Sequence, residues 1–232
     1  MSIDFFIELD RQLLLFLNGS NSLFVDGIML TYTSTLTWIP LFAGLIYLII
    51  KNNETMLQIF LIIFATLLCF GVSDLITDGI VKPLVARPRP CSDPFLKYVV
   101  DVVDNYRMTD YSFFSAHASN TMSIALFLSL LVKDKLFSVA MIGWSLLNCY
   151  TRLYLAMHYP SDIFVGLLCG VGVGMLMYYL FSLVMRKIYA RPRFISTHYT
   201  KSGYSTSDID VVLLLIVVSL LYGVIRATLM LV

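Results

Sequence analysis

The chain has 232 residues, of which 59% are hydrophobic and 13% are charged, and its formal net charge is +1. A soluble domain is about half apolar and about a quarter charged. This composition, with a mean hydropathy of +0.83, therefore excludes an ordinary soluble protein and indicates an integral membrane protein. The near-zero net charge and the lack of a basic tract also remove the usual electrostatic basis for binding nucleic acid.

The N-terminal segment, residues 1–20, predicts an amphipathic helix that lies in the membrane interface. Asp4, Glu8 and Arg11 recur at spacings of four and three residues, which places them on one face of a helix. The two acidic residues stand where an export signal carries positive charge, so a cleaved signal peptide is not expected.

Six apolar stretches follow, each long enough to cross a bilayer as a helix of roughly 20 residues. They cover residues 27–50, 55–77, 116–132, 136–154, 160–185 and 209–231. The sequence therefore predicts an all-α protein, a six-transmembrane-helix bundle that forms a single domain over residues 1–232. Two long polar loops separate the spans, at residues 78–115 and 186–208.

Positive charge is distributed unequally between the two sides of this predicted bundle. With six spans both termini share a side, and the loop 78–115 opens on that same side. The cations collect on the other side: Lys51, Lys133, Lys135, Arg186, Lys187, Arg191, Arg193 and Lys201. By the positive-inside rule the loop 186–208 is cytoplasmic and the loop 78–115 is extracytoplasmic.

Glycines and cysteines inside the predicted spans are explained by helix packing. Gly166, Gly170 and Gly174 recur every four residues, a pattern that lets a neighbouring helix approach closely, although a substrate groove is an alternative. The cysteines form no CxxC pair, which favours buried thiols over metal ligands or disulfides, with Cys91 ambiguous in its polar loop: Cys69, Cys91, Cys149 and Cys169.

Lys82 and Arg89 are two cations seven residues apart on a segment stiffened by three prolines. Proline fixes its own φ and restricts the residue before it, so the two charges sit on a rigid arm. Such an arm suits a tetrahedral dianion such as phosphate. Anchoring to lipid phosphates at the membrane surface explains the same pattern equally well, and Arg87 competes for either role.

A second polar run, SAH, stands where the third predicted span begins. Ser115 is a preferred N-cap residue, and Ala116 and His117 follow in the first turn. The unpaired N–H groups and positive dipole end of that helix favour an anion, with the histidine beside it. A plain cap and a structural histidine are the alternatives when this run is taken alone.

The third polar run, TRLYLAMHYPSD, lies between the fourth and fifth predicted spans. Arg152, His158 and Asp162 are costly to place at a membrane surface without a function. A carboxylate that bonds one ring nitrogen of a histidine leaves the other nitrogen basic and nucleophilic. Arg152 can offer phosphate a bidentate fork, which a lysine cannot.

Together and in this order, the three runs resemble the signature motifs of the type 2 phosphatidic acid phosphatase superfamily, which also includes vanadium haloperoxidases. The matching patterns are KxxxxxxRP, SxH and RxxxxxHxxxD, and the close part of the resemblance spans residues 82–162. The resemblance implies a lipid phosphatase of a bacterial cytoplasmic membrane, with its site facing the periplasm or the cell exterior. It implies no cofactor and no metal.

The resemblance also implies a role for each residue. His158 is expected to attack phosphorus and form a phosphohistidine, Asp162 to orient it, and His117 to protonate the leaving oxygen. The phosphoryl oxygens are expected to contact the remaining residues of the motifs: Lys82, Arg89, Arg152 and the backbone amides near Ser115 and Ala116.

Some residues depart from the family's pattern or merely echo it. Phe114 and Ala116 stand where the second motif usually has proline and glycine, and Thr151 stands where serine usually precedes the arginine. The run ARPRF at residues 190–194 echoes the first motif but lacks the proline after its second arginine and lies in the predicted cytoplasmic loop. That run, and His198 in the same loop, are excluded from the site.

The substrate is expected to be a membrane lipid with a phosphomonoester or a terminal pyrophosphate. The family offers lipid A, undecaprenyl diphosphate, phosphatidylglycerophosphate and phosphatidic acid. Carboxylates and tyrosines in the loop 91–110 suit sugar hydroxyls, which favours lipid A over undecaprenyl diphosphate. A vanadate-dependent peroxidase and a non-enzymatic lipid-binding or transport protein are the alternatives from other classes.

Overall fold

The structure, a computed structural model, describes residues 3–105, 107, 110–188 and 197–231. Most of the described residues are helical, and they include no strand beyond one isolated bridge between Tyr199 and Ser205. This confirms the predicted all-α class.

The α-helices run in chain order with short 3-10 and π segments between some of them. They are α1 (Ile3–Leu17), α2 (Leu23–Thr33), α3 (Ile39–Lys51), α4 (Met56–Asp74), α5 (Lys82–Val85), α6 (Ala116–Val132), α7 (Lys135–Tyr154), α8 (Pro160–Ile188) and α9 (Thr206–Leu229). A 3-10 turn, Thr35–Trp38, joins α2 to α3, and a π-helical stretch, Leu75–Val81, joins α4 to α5.

The first predicted span, residues 27–50, is wrong as a single straight helix. Its two halves, Leu23–Thr33 and Thr35–Lys51, are bent by 70°. Ser34 leaves the helical region with φ −78° and ψ 128°, and Thr37 Oγ1 donates a hydrogen bond of 2.5 Å to the Thr31 carbonyl. Pro40 then opens α3, where its missing N–H costs nothing. The polar run of threonines and serine thus caps one helix and starts another.

By length and composition, three helical segments in the described part of the chain could cross a membrane, or four if the bent pair is one span. The three are Met56–Ser92, Pro160–Ile188 and Thr206–Leu229, while Ala116–Val132 is apolar but shorter. The predicted count of six spans is therefore not confirmed. Helix α6 accounts for part of the difference because it has 17 residues, which is short for a membrane-spanning helix. It packs against α4, α7 and α8 and buries polar residues such as Ser119 and Ser123.

The predicted loop 78–115 begins later in the structure, because its first residues are helical. The helical path that begins with α4 continues through the π-helical stretch into α5, so Lys82 lies on a helix and not in a loop. A carboxylate one turn earlier, Asp78, forms an ion pair with Lys82 at 2.7 Å. The π-helical stretch ends directly before Lys82, a predicted functional residue, and such stretches are frequent at functional sites.

The N-terminal helix is present as α1, and it packs against α7 and α8. Leu14 is fully buried, and Asp10 is 8% exposed, whereas Phe6 and Phe16 are exposed. Its interfacial position stays a prediction. What the structure adds is that α1 covers the end of the bundle where the predicted site residues lie.

The close packing of α6 on α8 confirms the helix-packing interpretation of the glycines. A Cβ atom on Gly166 would lie 2.7 Å from the Ser115 carbonyl oxygen, and one on Gly170 would lie 2.6 Å from that of Ser119. Gly174 approaches the Ser123 carbonyl in the same way, at 2.8 Å. The glycines therefore let the backbones of the two helices touch along three turns.

Gly170→Ala is expected to lower the thermal stability, because its methyl group would clash with the α6 backbone at a cost of about 1–3 kcal/mol. Gly172→Ala is the matched control on the same helix, since nothing lies within 4 Å of its added Cβ. Both are measured by the midpoint of thermal unfolding in one detergent. Equal midpoints for Gly170→Ala and the wild type would contradict the tight contact.

Candidate active site

The predicted site residues meet at one end of the bundle. Lys82 lies on α5, Ser115 and His117 at the start of α6, Arg152 in the last turn of α7, and Asp162 in the first turn of α8. His158 lies between α7 and α8, and Arg89 follows α5. All of these side chains are buried except that of His117, which is partly buried. The chain thus brings its three motifs together, as their resemblance implied.

Arg89 and Lys82 share a carboxylate that the sequence analysis did not assign. Asp110 accepts two parallel hydrogen bonds from Arg89, one from Nε at 3.0 Å and one from Nη2 at 2.8 Å. Lys82 Nζ lies 3.6 Å from the same carboxylate. Burial would raise the pKa of Asp110, but the hydrogen bonds and charge of Arg89 and the charge of Lys82 outweigh it and hold that pKa below its ordinary value.

His158 faces Arg89 through its Nε2 atom. Arg89 Nη1 lies 3.2 Å from Nε2 and also donates to the Met157 carbonyl at 2.8 Å. A guanidinium can only donate, so Nε2 must carry the lone pair and Nδ1 must carry the proton of the neutral ring. The contact therefore assigns the lone pair of the neutral ring to Nε2.

Asp162 lies on the other side of the His158 ring. Its Oδ2 is 3.5 Å from Nδ1, longer than an ordinary hydrogen bond, and Nδ1 has no hydrogen-bond partner among the described residues. The carboxylate is held by two donors, Tyr159 N to Oδ2 at 2.9 Å and Arg87 Nη1 to Oδ1 at 2.8 Å. The attraction between Asp162 and His158 is therefore mainly electrostatic in this state, and it would strengthen as the ring gains positive charge.

Burial lowers the pKa of His158 to about 4, because the ring is desolvated. Asp162 acts in the opposite direction, and the positive charges of Arg89 and Lys82 add to the lowering. The ring is consequently neutral at physiological pH, as a nucleophile must be.

The second motif adopts the expected cap at the start of α6. Ser115 Oγ accepts a hydrogen bond from the Ala118 amide at 3.4 Å, and the Ser115 amide donates to the Asp162 carbonyl at 3.2 Å. The latter bond ties the second motif directly to the third. Ala116 is buried beside this junction.

His117 and Arg152 complete the constellation. The positive charges of Arg152, Lys82 and Arg89 act on His117, which places it within electrostatic reach of the other motifs. Arg152 Nη1 lies 2.9 Å from the Met157 sulfur, and its carbonyl accepts a hydrogen bond from the Met157 amide at 3.0 Å. Arg152 thus also braces the turn that carries His158.

The sequence model of the PAP2 superfamily matches residues 55–186. The chain belongs to the PAP2 superfamily. This confirms the membership predicted from the three motifs and, with it, the predicted class of a hydrolase acting on phosphoric ester bonds.

Two curated proteins are similar to this PAP2 protein over most of its length. One is the lipid A 4'-phosphatase of Bacteroides thetaiotaomicron, 34% identical over 180 residues, which cover 77% of this chain and 79% of that protein. The other is the lipid A 4'-phosphatase of Porphyromonas gingivalis, 30% identical over 194 residues, which cover 83% of this chain and 79% of that protein. No solved structure matches the chain.

Arg87 has a role in this PAP2 protein that the sequence left open. Besides binding Asp162, it donates to Asp10 at 2.7 Å through Nη2, and its guanidinium lies 3.6 Å from the centre of the Tyr159 ring. Asp10 in turn accepts from the amide and hydroxyl of Ser161, at 2.8 and 2.6 Å. Arg87 therefore supports the carboxylate behind His158 and lies apart from the residues predicted to bind phosphate.

Three carboxylates that pair with the cations at this end of the bundle were not predicted from the sequence. Asp78 lies four residues before Lys82, a helical spacing that would have paired them had the loop not been predicted to begin there. Asp10 falls between the residues of the predicted polar face of α1, yet it is buried by contact with Arg87. Asp110 gave no local signal, since its partners are 21 and 28 residues earlier in the chain.

Other predicted features lie apart from the site. The run at residues 190–194 is outside the described residues. Cys69, Cys91 and Cys149 are buried, which fits the thiol interpretation and extends it to Cys91.

The neutral state of His158 is expected to persist well below pH 6. A titration of histidine ring resonances by NMR, with His158→Gln to assign the signal, should place its midpoint near pH 4, and a midpoint near 6.5 would contradict the buried setting. Because the folded pKa is depressed, the stability contributed by this residue is complete above about pH 6.5 and is lost as the pH falls toward 4.

Proposed function

We propose that the protein is a lipid phosphatase that removes a phosphate monoester from lipid A by way of a phosphohistidine, without a metal ion. The observation that carries the proposal is the 3.2 Å contact of His158 Nε2 with the buried Arg89, which shares Asp110 with the buried Lys82. A neutral imidazole next to clustered positive charge is suited to attack the phosphorus of a phosphate dianion.

In the first half-reaction, His158 Nε2 forms a bond to phosphorus as the bond from phosphorus to the lipid oxygen breaks. Lys82, Arg89 and Arg152 stabilise the charge on the equatorial oxygens. His117, which takes up a proton once the phosphate dianion offsets the charge of these cations, gives that proton to the leaving oxygen. Asp162, already fixed by Arg87 and Tyr159, stabilises the positive ring that results. Water then attacks the phosphohistidine as His117 accepts its proton, which releases phosphate and restores the neutral ring.

The choice of lipid A draws on the two similar proteins, whose names specify lipid A 4'-phosphatase. The loop 91–110 was expected to contribute carboxylates for sugar hydroxyls, but Asp93 is engaged with Tyr159 at 2.7 Å and Asp110 with Arg89. Described loop groups such as Tyr98, 85% exposed, and the exposed Asp101 remain open to a headgroup.

The proposed setting is a bacterial cytoplasmic membrane crossed six times, with the site on the outer face. Lys82, at the end of the segment from Met56, lies at the same end of the bundle as the start of α6, the end of α7 and the start of α8. Two of these four segments therefore end at the site and two begin there, in alternation along the chain. Four successive membrane crossings would produce this arrangement. The cations of the opposite end fit a cytoplasmic side.

Purified protein in detergent is expected to release phosphate fastest from lipid A in a panel with undecaprenyl diphosphate, phosphatidylglycerophosphate and phosphatidic acid. EDTA should leave that rate unchanged, and His158→Ala should lower kcat by about a thousandfold or more, because the nucleophile is lost. Equal or faster turnover of undecaprenyl diphosphate would overturn the substrate, and strong inhibition by EDTA would overturn the metal-free mechanism. Undiminished release by His158→Ala would overturn the nucleophile.

Arg87→Lys is expected to lower kcat by about tenfold to a hundredfold, the range typical when an outer partner of a functional group is lost. A lysine offers one charged nitrogen, so it cannot bridge Asp10 and Asp162 as the guanidinium does. KM should change little, since Arg87 does not face the phosphate. Arg11→Lys is the matched control, because both arginine side chains are 23% exposed and both pair with a carboxylate. A rise in KM at constant kcat would instead place Arg87 in the substrate site.

A further inference from the structure

The Asp110 carboxylate occupies the face of the site that binds anions. Its two oxygens lie against the Nε and Nη2 edge of Arg89, at 3.0 and 2.8 Å, and one of them is 3.6 Å from Lys82 Nζ. That edge of a guanidinium is the one that takes phosphate or carboxylate in a two-pronged contact. Asp110 therefore makes the contacts with two motif cations that a phosphate would make.

The nucleophile is covered in the same state. Arg89 Nη1 lies 3.2 Å from His158 Nε2, in the direction of the lone pair that must reach phosphorus. The bonds from Arg89 to Asp110 and to the Met157 carbonyl hold the guanidinium in that place. Phosphate cannot meet Nε2 until Arg89 has moved, and Arg89 is held by Asp110.

The exposed fractions of Asp110, Arg89 and Lys82 show which of these side chains can move away from the other two. The side chains of Arg89 and Lys82 are 2% and 8% exposed, whereas that of Asp110 is 51% exposed. Asp110 can therefore turn into water and be solvated, while the two cations stay buried and need another anion.

The charges support an exchange of Asp110 for a dianion. The motif cations Lys82, Arg89 and Arg152 carry three positive charges, and Asp78 offsets one of them through its 2.7 Å ion pair with Lys82. With Asp110 in place the balance is one positive charge. With Asp110 displaced it is two, which a phosphate monoester dianion neutralises.

We propose that Asp110 is an internal competitor for the phosphate site, bound to Arg89 and Lys82 in the resting protein and displaced when a phosphate monoester enters. The proposal rests on the proposed function, because it takes these two cations as the phosphate-binding groups. Displacement also releases Arg89 from the nucleophile, so the same event fills the site and uncovers Nε2.

A displaced competitor lowers the affinity of every anion by one common factor, the fraction of molecules in which the site is vacant. A monoester dianion that binds Arg89 and Lys82 tightly after Asp110 has left still has a useful affinity. A phosphodiester, with a single negative charge, binds them more weakly and falls below useful affinity. Since most bilayer phospholipids are phosphodiesters, such a competitor keeps the site clear of the lipids that surround it.

The test is direct binding of two small anions to the full-length protein in detergent, measured by isothermal titration calorimetry at pH 8. Methyl phosphate is the dianion probe and dimethyl phosphate the monoanion probe. Asp110→Asn removes the charge with little change in shape, Asp110→Ser is a second variant, and Asp104→Asn is the control. Asp104 is exposed in the same loop, and among the described residues the carboxylates that pair with Lys82 and Arg89 are Asp78 and Asp110.

Both Asp110 variants are expected to bind methyl phosphate about tenfold more tightly than the wild type, and dimethyl phosphate more tightly by a similar factor, because vacating the site costs the same for either anion. Asp104→Asn should match the wild type. Weaker or unchanged binding of methyl phosphate by the Asp110 variants would overturn the proposal and make Asp110 a support for Arg89. A gain confined to methyl phosphate would also overturn it, because Asp110 would then remain beside the bound anion and repel the dianion more strongly.

The failure of the proposed function gives a different result. In that case neither the wild type nor the Asp110 variants would bind methyl phosphate, and the phosphate site and its competitor would fall together. If the wild type binds methyl phosphate and the Asp110 variants bind it no more tightly, only the proposal that Asp110 is a competitor fails.

Discussion

The contact between α6 and α8 is the constraint on which the site depends. Gly166 has no side chain, so the start of α6 can lie against α8 closely enough for the Ser115 amide to donate to the Asp162 carbonyl. That single hydrogen bond sets the second motif against the third. A side chain at Gly166 would push the capped end of α6 away from the turn that carries His158, and the three motifs would no longer share a surface.

Charge is the second constraint, because the bundle buries cations before any substrate arrives. An arginine or lysine held out of water is tolerated only when an anion or polar group accompanies it. Asp78 and Asp110 do this for Lys82 and Arg89, and Asp10 and Asp162 do it for Arg87. The structure therefore carries its own counter-ions at a site that would otherwise be stable only with phosphate bound.

The motif residues could be recognised in the sequence, but the carboxylates that pair with them could not. Residues proposed to act on phosphate are of particular types at particular spacings, so Lys82, Arg89 and His158 were visible as motifs. Their partners only need to be acidic and nearby in space, and the loop that returns Asp110 to Arg89 leaves no periodic pattern in the chain. The bend at Ser34 was missed for a related reason, since apolar residues continue on both sides of it and hydropathy alone reads one span.

The counter-ions fall into two groups that meet at His158. On one side, Asp10, Arg87 and Asp162 form a chain of contacts from α1 to the Nδ1 face of the ring. On the other side, Asp110 and Arg89 reach the Nε2 face. The first group is fixed by its hydrogen bonds and by the packing of α1, which suits the proposed role of Asp162 in keeping the ring oriented. The second ends in a half-exposed carboxylate, which suits a face that must open to admit phosphate. Rigidity behind the nucleophile and exchange in front of it thus follow from where the chain places its acids.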